Sequence, residues 1–354
     1  MRVWLPIAGC CLLTAAAAWQ SRRLAGQRRE SMPETYAGPA ERPPPALTFI
    51  LAGLGGFRGI AAEALWFRVN RLQEEGRFLE LVQLSDWITR LDPHAADAWI
   101  YNAWNLAYNV SILMAREEDR LRWVRNGLTL LRDEALRFNP REARLYRELA
   151  WLYQNKIGDS LDSAHLTYKR DLAAALSPHV HPDGTVRITE ETRSALAAMR
   201  LDADRMRELE RRFGPLDWRL AESHAVYWAS QGLALATGTE RLLCRRAVYQ
   251  PLLLSVWRGR LTGDPDGPEW RTAPNPALAS ATAAFLTETL SEHPTATMRN
   301  ICVRYLAGAI PLLHRHNLTR TAEELYARLT GTLPDGVPKP SFDTVLAGWR
   351  PPQE

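Results

Sequence analysis

The sequence predicts an all-α fold, an α-solenoid of helix hairpins stacked side by side behind an N-terminal transmembrane or signal helix. Three observations predict it. Apolar residues recur at three- and four-residue spacing over much of the chain, the period of one buried helix face. Helices close at Asp92-Pro93 and Asn139-Pro140, where proline cannot continue the helical hydrogen-bond ladder. A spacing of twelve residues then separates an inward position from a closing proline three times, at Leu81 to Pro93, Leu128 to Pro140 and Ala322 to Pro334. A hairpin with one apolar face cannot bury it alone, so each unit needs neighbours of its own kind.

The clearest unit runs from Gly76 to Pro93, with Gly in the turn, Phe78 opening a helix and Asp92-Pro93 ending it. After Pro93 come Trp99, Ala103 and Leu106, and after Pro140 come Tyr146, Leu149, Ala150 and Tyr153, both at first-helix spacing. Ala164 and Tyr168 supply the small-x3-aromatic pair of a following second helix. These residues resemble the tetratricopeptide repeat, in which small residues let two helices approach and aromatics fill the space beside them. The resemblance covers 57–178 as two and a half to three units and 300–336 as a weaker one, and it extends to a group of bacterial membrane-associated repeat proteins. Leu81 and Leu128 depart from it, standing where the consensus has a small residue. Pro93 and Pro140 lie 47 positions apart. Against a repeat of about 34 residues, that places an insertion of about 13 near Met114 to Arg120. Two extra residues also separate Tyr146 from Ala164. The competing reading is an irregular all-α domain whose Asp-Pro and Asn-Pro helix ends reproduce the spacing.

Six segments follow in order. Residues 1–21 are a membrane anchor or signal segment: Val3 to Trp19 is an uncharged run of 17 residues, flanked by Arg2 and by Arg22, Arg23, Arg28 and Arg29. The flanking arginines and Trp19 favour a retained single-pass anchor in the cell (inner) membrane through residues 3–19, the alternative being export after signal cleavage. Residues 22–46, with Pro33, Pro39, Pro43, Pro44 and Pro45, read as a semi-extended tether. Residues 47–178 hold the repeats. Residues 179–214 form a linker and a charged amphipathic helix from Thr189 to Phe213, striped by Leu196, Met199, Ala203, Met206, Leu209 and Phe213. Residues 215–336 form a second helical block with a degenerate repeat unit, and 337–354 a proline-rich tail expected to lie loosely on the surface.

Composition excludes several functions. The formal charge is +4, but only Lys156, Lys169 and Lys339 are lysines, and the arginines alternate with acids along helices as on a solvated, ion-paired face. No nucleic-acid role is expected. Beyond Cys10 and Cys11 in the leader, Cys244 and Cys302 suffice for one disulfide and for no metal cluster. Gly53-Leu-Gly55-Gly56-Phe-Arg-Gly59 precedes a helix as a dinucleotide loop does, but Arg58 occupies the third-glycine position and no second strand follows. The pairs His179/His181 and His314/His316 lack nearby ligands to complete a metal site and read as helix-end surface histidines. The adjacent acids Glu74/Glu75 and Glu117/Glu118 point to different sides of a helix and read as solvated charges. No catalytic residue, cofactor or metal is assigned.

The resemblance implies that the first helix of each repeat lines a groove for an extended peptide or a helix of another protein. Carried over position by position, it implies groove residues Tyr101, Trp104 and Tyr108 from one unit and Arg144, Arg147, Trp151, Gln154 and Asn155 from the next. Asn102, Asn105 and Asn109 add polar groups on the first of these helices. The expected function is a non-catalytic, membrane-tethered scaffold for protein interaction. The alternative is a small-ligand- or metal-binding enzyme with a pocket between the two helical blocks, lined by His179, His181 and His224.

Overall fold

The computed structural model describes residues 58–264, 267, 269–334 and 336–349. Its regular structure is almost entirely helical. The strands are two residues each, Arg260–Leu261 (β1) and Thr272–Ala273 (β2), paired antiparallel. The expected all-α class is therefore observed. The leader at 3–19, the tether at 22–46 and the glycine turn at 53–56 lie outside the described residues. Among the described residues no helix is long and apolar enough to cross a membrane. The chain divides into two compact units after Ala98, so the boundary expected near residue 178 falls inside the second.

The first unit contains a helix hairpin, α1 (Arg58–Glu74) and α2 (Phe78–Leu91), which pack on each other. Leu72, Leu81, Ile88 and Leu91 are buried, as the apolar spacing requires. Glu75 sits in the turn between Arg71 and Arg77, 2.9 Å from each, as a solvated ion pair.

The second unit opens within α3 (Ala96–Trp104), which continues through a π-helical turn, Asn105–Val110, and a 3-10 turn, Ser111–Leu113. Helix α4 (Glu117–Thr129) likewise runs on through a π turn, Leu130–Ala135, to Phe138. The residues expected as an insertion near 114–120 therefore lengthen both helices, leaving a short connection at 114–116. Each π turn accommodates an extra residue without ending the helix. The two helices approach closely at Gly127, where a Cβ would stand 2.7 Å from the Ala103 carbonyl oxygen and 3.3 Å from Ala107 Cβ. The small residue of this hairpin is thus Gly127, one position before Leu128. Trp99 stacks on Phe138 at the other end, ring centroids 6.0 Å apart.

Helix α5 (Ala143–Trp151) extends through a third π turn, Leu152–Ile157, and is followed by α6 (His165–Leu176). Leu149, Ala150, Tyr153, Ala164 and Tyr168 are all buried. The amphipathic helix expected over 189–213 is two helices, α7 (Glu190–Ala198) and α8 (Ala203–Phe213). Arg200 between them has φ 59°, and Asp202 caps α8 through the N–H groups of Asp204 and Arg205. A capping aspartate with left-handed backbone just before it ends one helix and starts another without disturbing the apolar spacing. The segment ahead of α7 is pinned rather than a free linker: Glu210 accepts from the Val186 N–H and the Trp218 indole, both at 2.7 Å, and the Trp218 N–H donates to the Gly184 carbonyl.

Helices α9 (Ala221–Leu235) and α10 (Gly238–Arg258) form a hairpin in the second helical block, turning at Gly238, whose φ is 54°. Both pack on α5; α10 then packs on α11 (Ala279–Glu292), α11 on α12 (Ala296–Arg315), and α12 on α13 (Thr319–Thr332). Arg245 joins α10 to α11. Its buried guanidinium donates to Glu292 at 2.7 Å, Glu288 at 2.6 Å and Thr289 at 3.0 Å, the pairing that a buried charge requires. The expected loose tail is anchored over 336–349. Helix α14 (Phe342–Leu346) buries Val345, Phe342 meets the Tyr326 ring edge-on, and the Tyr326 hydroxyl donates to the Pro340 carbonyl at 2.8 Å. Cys244 and Cys302 are both free and buried, so the disulfide that their number allowed is absent.

Candidate functional site

An open cleft of about 520 Å³ lies in the second unit where α3, α5 and the 161–163 loop meet. Its floor is aromatic. Trp104 stacks on Trp151 with centroids 6.1 Å apart and planes 16° from parallel, and Tyr108 lies tilted by 32° beside it at 4.9 Å. Two of the π turns border it, one carrying Tyr108 and the other Asn155 and Lys156. The wider π turn re-aims side chains that a regular helix would distribute around its axis. Ile112 and Leu161 add apolar rim; Trp151 is 40% exposed and Leu161 86%.

The cations of the cleft are neutralised from within. Lys156, 4% exposed, lies 2.5 Å from Asp162 and 5.1 Å above the Tyr108 ring. Asp162 also accepts from the Tyr168 hydroxyl at 3.0 Å and the Ala164 N–H at 2.9 Å. Burial alone would raise its carboxyl, but Lys156 and these donors outweigh burial and hold it below the ordinary range. Arg120 lies 3.5 Å from Asp162 and donates to Ser163 and to the Met114 carbonyl. The Tyr108 hydroxyl is buried, meets no partner at hydrogen-bonding geometry and has the Trp151 indole beside it; burial pushes its pKa upward.

Of the eight residues expected in the groove, Trp104, Tyr108, Trp151 and Asn155 line this cleft. Asn155 spends its amide N–H on the Trp151 carbonyl at 3.2 Å. Tyr101, Arg144, Arg147 and Gln154 do not line it. Arg144 is held by Glu142 at 3.1 Å, and Arg147 bridges Glu148 at 2.9 Å and Glu240 at 2.6 Å, joining α5 to α10. An arginine fixed between two carboxylates is structural cross-bracing rather than a ligand anchor. Glu148 is buried, which raises its pKa, and it accepts from the Trp104 indole at 3.0 Å, so the same network braces the cleft floor. Asn102 and Asn105 are buried and Asn109 donates to Asn105 at 2.9 Å, and none of the three lines the cleft. Helical spacing carries no signal for Ile112, Arg120, Leu161, Asp162 or Ser163, which also line the cleft. Lys156 carried one signal, as one of three lysines among 44 basic residues.

The histidines expected to line a shared pocket are not brought together. His224 is 1% exposed within α9, and the cavity it borders does not include His179 or His181, which lie at the end of a 3-10 turn and in the loop beyond it. His314 is exposed in the last turn of α12, and His316 caps it. Among the described residues no group of three or more His, Cys, Asp or Glu side chains is placed to hold a metal ion. No protein-family model matches the sequence, and no curated protein is significantly similar to it.

Proposed function

We propose that the chain is a non-catalytic scaffold of the tetratricopeptide-like α-solenoid kind, tethered to the cell membrane through residues 3–19, which binds a segment of another protein in the aromatic cleft. The observation that carries this reading is the cluster of half-buried Trp104 and Tyr108 with exposed Trp151, beside an almost fully exposed Leu161. Large rings with few rotatable bonds bury much area at low entropic cost, which is why Trp and Tyr dominate interface energetics. Because Lys156 and Arg120 are satisfied by Asp162, the floor offers apolar surface without free charge. The segment it suits is an extended or helical stretch with an uncharged, apolar centre. Stacked hairpins hold such a surface rigid, so little order is lost on docking. Assembly of an envelope complex is the process in which a tethered module of this type serves.

Cross-linking in cells followed by mass spectrometry tests the reading. Trp151→Ala removes exposed surface and leaves the Glu148 and Lys156 networks in place. The main heterologous cross-link should fall about tenfold, the loss of one interface anchor, with helix content unchanged. An unaltered cross-link pattern would move the binding surface elsewhere.

A further inference from the structure

A second cavity, of about 250 Å³, lies within the same unit among α4, α5, α6, the turn between α7 and α8, and His224 of α9. Its wall is apolar, with Leu128, Ile157, Leu172 and Leu176 facing it. Thr129 and Ala175 are exposed and mark its mouth; Tyr153 and His224 are buried and mark its depth.

The deep end is polar and carries no unpaired charge. Arg132 donates to Asp133 through Nε and Nη2, both at 2.8 Å, and its guanidinium lies beside the Tyr153 hydroxyl. Asp171, on the wall, is paired with Arg125 at 3.0 Å. The Tyr153 ring stacks on His224 with centroids 5.0 Å apart. His224 Nε2 lies 2.9 Å from the Trp218 carbonyl oxygen. A carbonyl only accepts, so Nε2 carries the proton and Nδ1 is a bare acceptor. Nδ1 is buried and has no protein partner. Buried acceptors are normally paired, and one left over at the end of an apolar cavity points to a ligand that donates to it.

We infer that this cavity binds an uncharged amphiphile, an alcohol or phenol with an apolar body. Its hydroxyl donates to His224 Nδ1 and accepts from the Arg132 and Tyr153 end, and its hydrocarbon part lies against Leu128, Ile157, Leu172 and Leu176. A carboxylate does not fit, since the three charged side chains of the lining, Arg125, Arg132 and Asp171, already have counter-ions and Nδ1 requires a donor. The inference is independent of the cleft, and neither site's failure touches the other.

Calorimetric titration of the full chain with 4-pentylphenol and with 4-pentylanisole tests it. The two differ by a methyl group that removes the donor. The phenol should bind saturably at one site per chain and the anisole about tenfold more weakly, the worth of one buried hydrogen bond. Ala175→Trp, at the exposed mouth, should abolish phenol binding without changing helix content, and His224→Phe should bring the two ligands to equal affinity. If His224→Phe does not fold, the phenol-to-anisole ratio and the Ala175→Trp result decide. Absence of saturable phenol binding, equal affinity of the two ligands for the unmodified chain, or binding that survives Ala175→Trp each overturns the inference.

Discussion

Replacing Asp162 by asparagine removes the carboxylate that neutralises Lys156 beneath the cleft. In the native site one oxygen accepts from Lys156 at 2.5 Å and Tyr168 at 3.0 Å, and the other accepts from the Ala164 N–H at 2.9 Å. The amide keeps an acceptor for Ala164 and turns an NH2 group toward the ammonium and the hydroxyl. Lys156, 4% exposed, cannot recover water to compensate. Breaking a buried pair in this way costs about 3–5 kcal/mol. At about 2 kcal/mol per molar urea, the unfolding midpoint falls by about 2 M. Lys156→Met costs less, about 2 kcal/mol, because Asp162 retains Tyr168, Ala164 and Arg120 as partners. In the double variant no buried lysine is stranded, so it should be more stable than Asp162→Asn alone. Urea unfolding of the full chain and of the three variants, followed by circular dichroism, completes the cycle. A loss below about 1 kcal/mol for Asp162→Asn, or single losses that simply add in the double variant, would refute the reasoning.

Three further outcomes follow from buried groups elsewhere in the second unit. Burial lowers the His224 pKa from 6.5 to about 4, so between these values the unfolded chain takes up a proton that the native chain refuses; this contribution to stability is complete above pH 6.5 and lost as pH falls toward 4, about 3 kcal/mol in all. Glu148, Glu210 and Glu222 have raised pKa values through burial and act with the opposite sign, so the His224 share is read as the difference from His224→Gln, which should lack that acid loss. Gly184→Ala should destabilise by more than about 2 kcal/mol, because φ is +87° and the new Cβ would stand 2.2 Å from the Asp217 carboxyl carbon and 2.8 Å from its Cα; thermal unfolding checks it. Burial pushes the thiols of Cys244 and Cys302 up to about 12 and about 11, so at pH 8 neither should be alkylated by iodoacetamide until urea unfolds the chain, as peptide mass spectrometry would report.

Local periodicity made the hairpins legible. Trp99, Ala103, Tyr153, Ala164 and Tyr168 are buried where helical spacing placed them, because a packed face obliges residues three and four apart to share an environment. No spacing marks the break at Arg200, because Met199, Ala203 and Met206 keep the helical period across two helices while the break itself lies in a backbone angle and a cap. Half of the candidate groove was legible for the same reason the hairpins were. Arg147 stands outside the cleft lining, bridged to Glu240, which lies 93 residues later in the chain, and no spacing rule relates the two. Asp162 and Leu161 stand in a loop after a π turn, where helical periodicity carries no information. The free thiols follow the same logic, since two cysteines allow a disulfide but only their tertiary positions decide whether it forms.

The claim on which the functional reading rests is that the aromatic cleft is where a partner protein sits. Site-specific photo-cross-linking in cells tests it most directly, with the photoreactive residue placed at Leu161, on the cleft rim, and separately at Arg122, exposed on α4 and outside the cleft lining. One discrete adduct with a different protein should form from position 161, be absent from position 122 and be lost when Trp151→Ala is added. Equal adducts from both positions, or an adduct from 161 that Trp151→Ala leaves untouched, would contradict it.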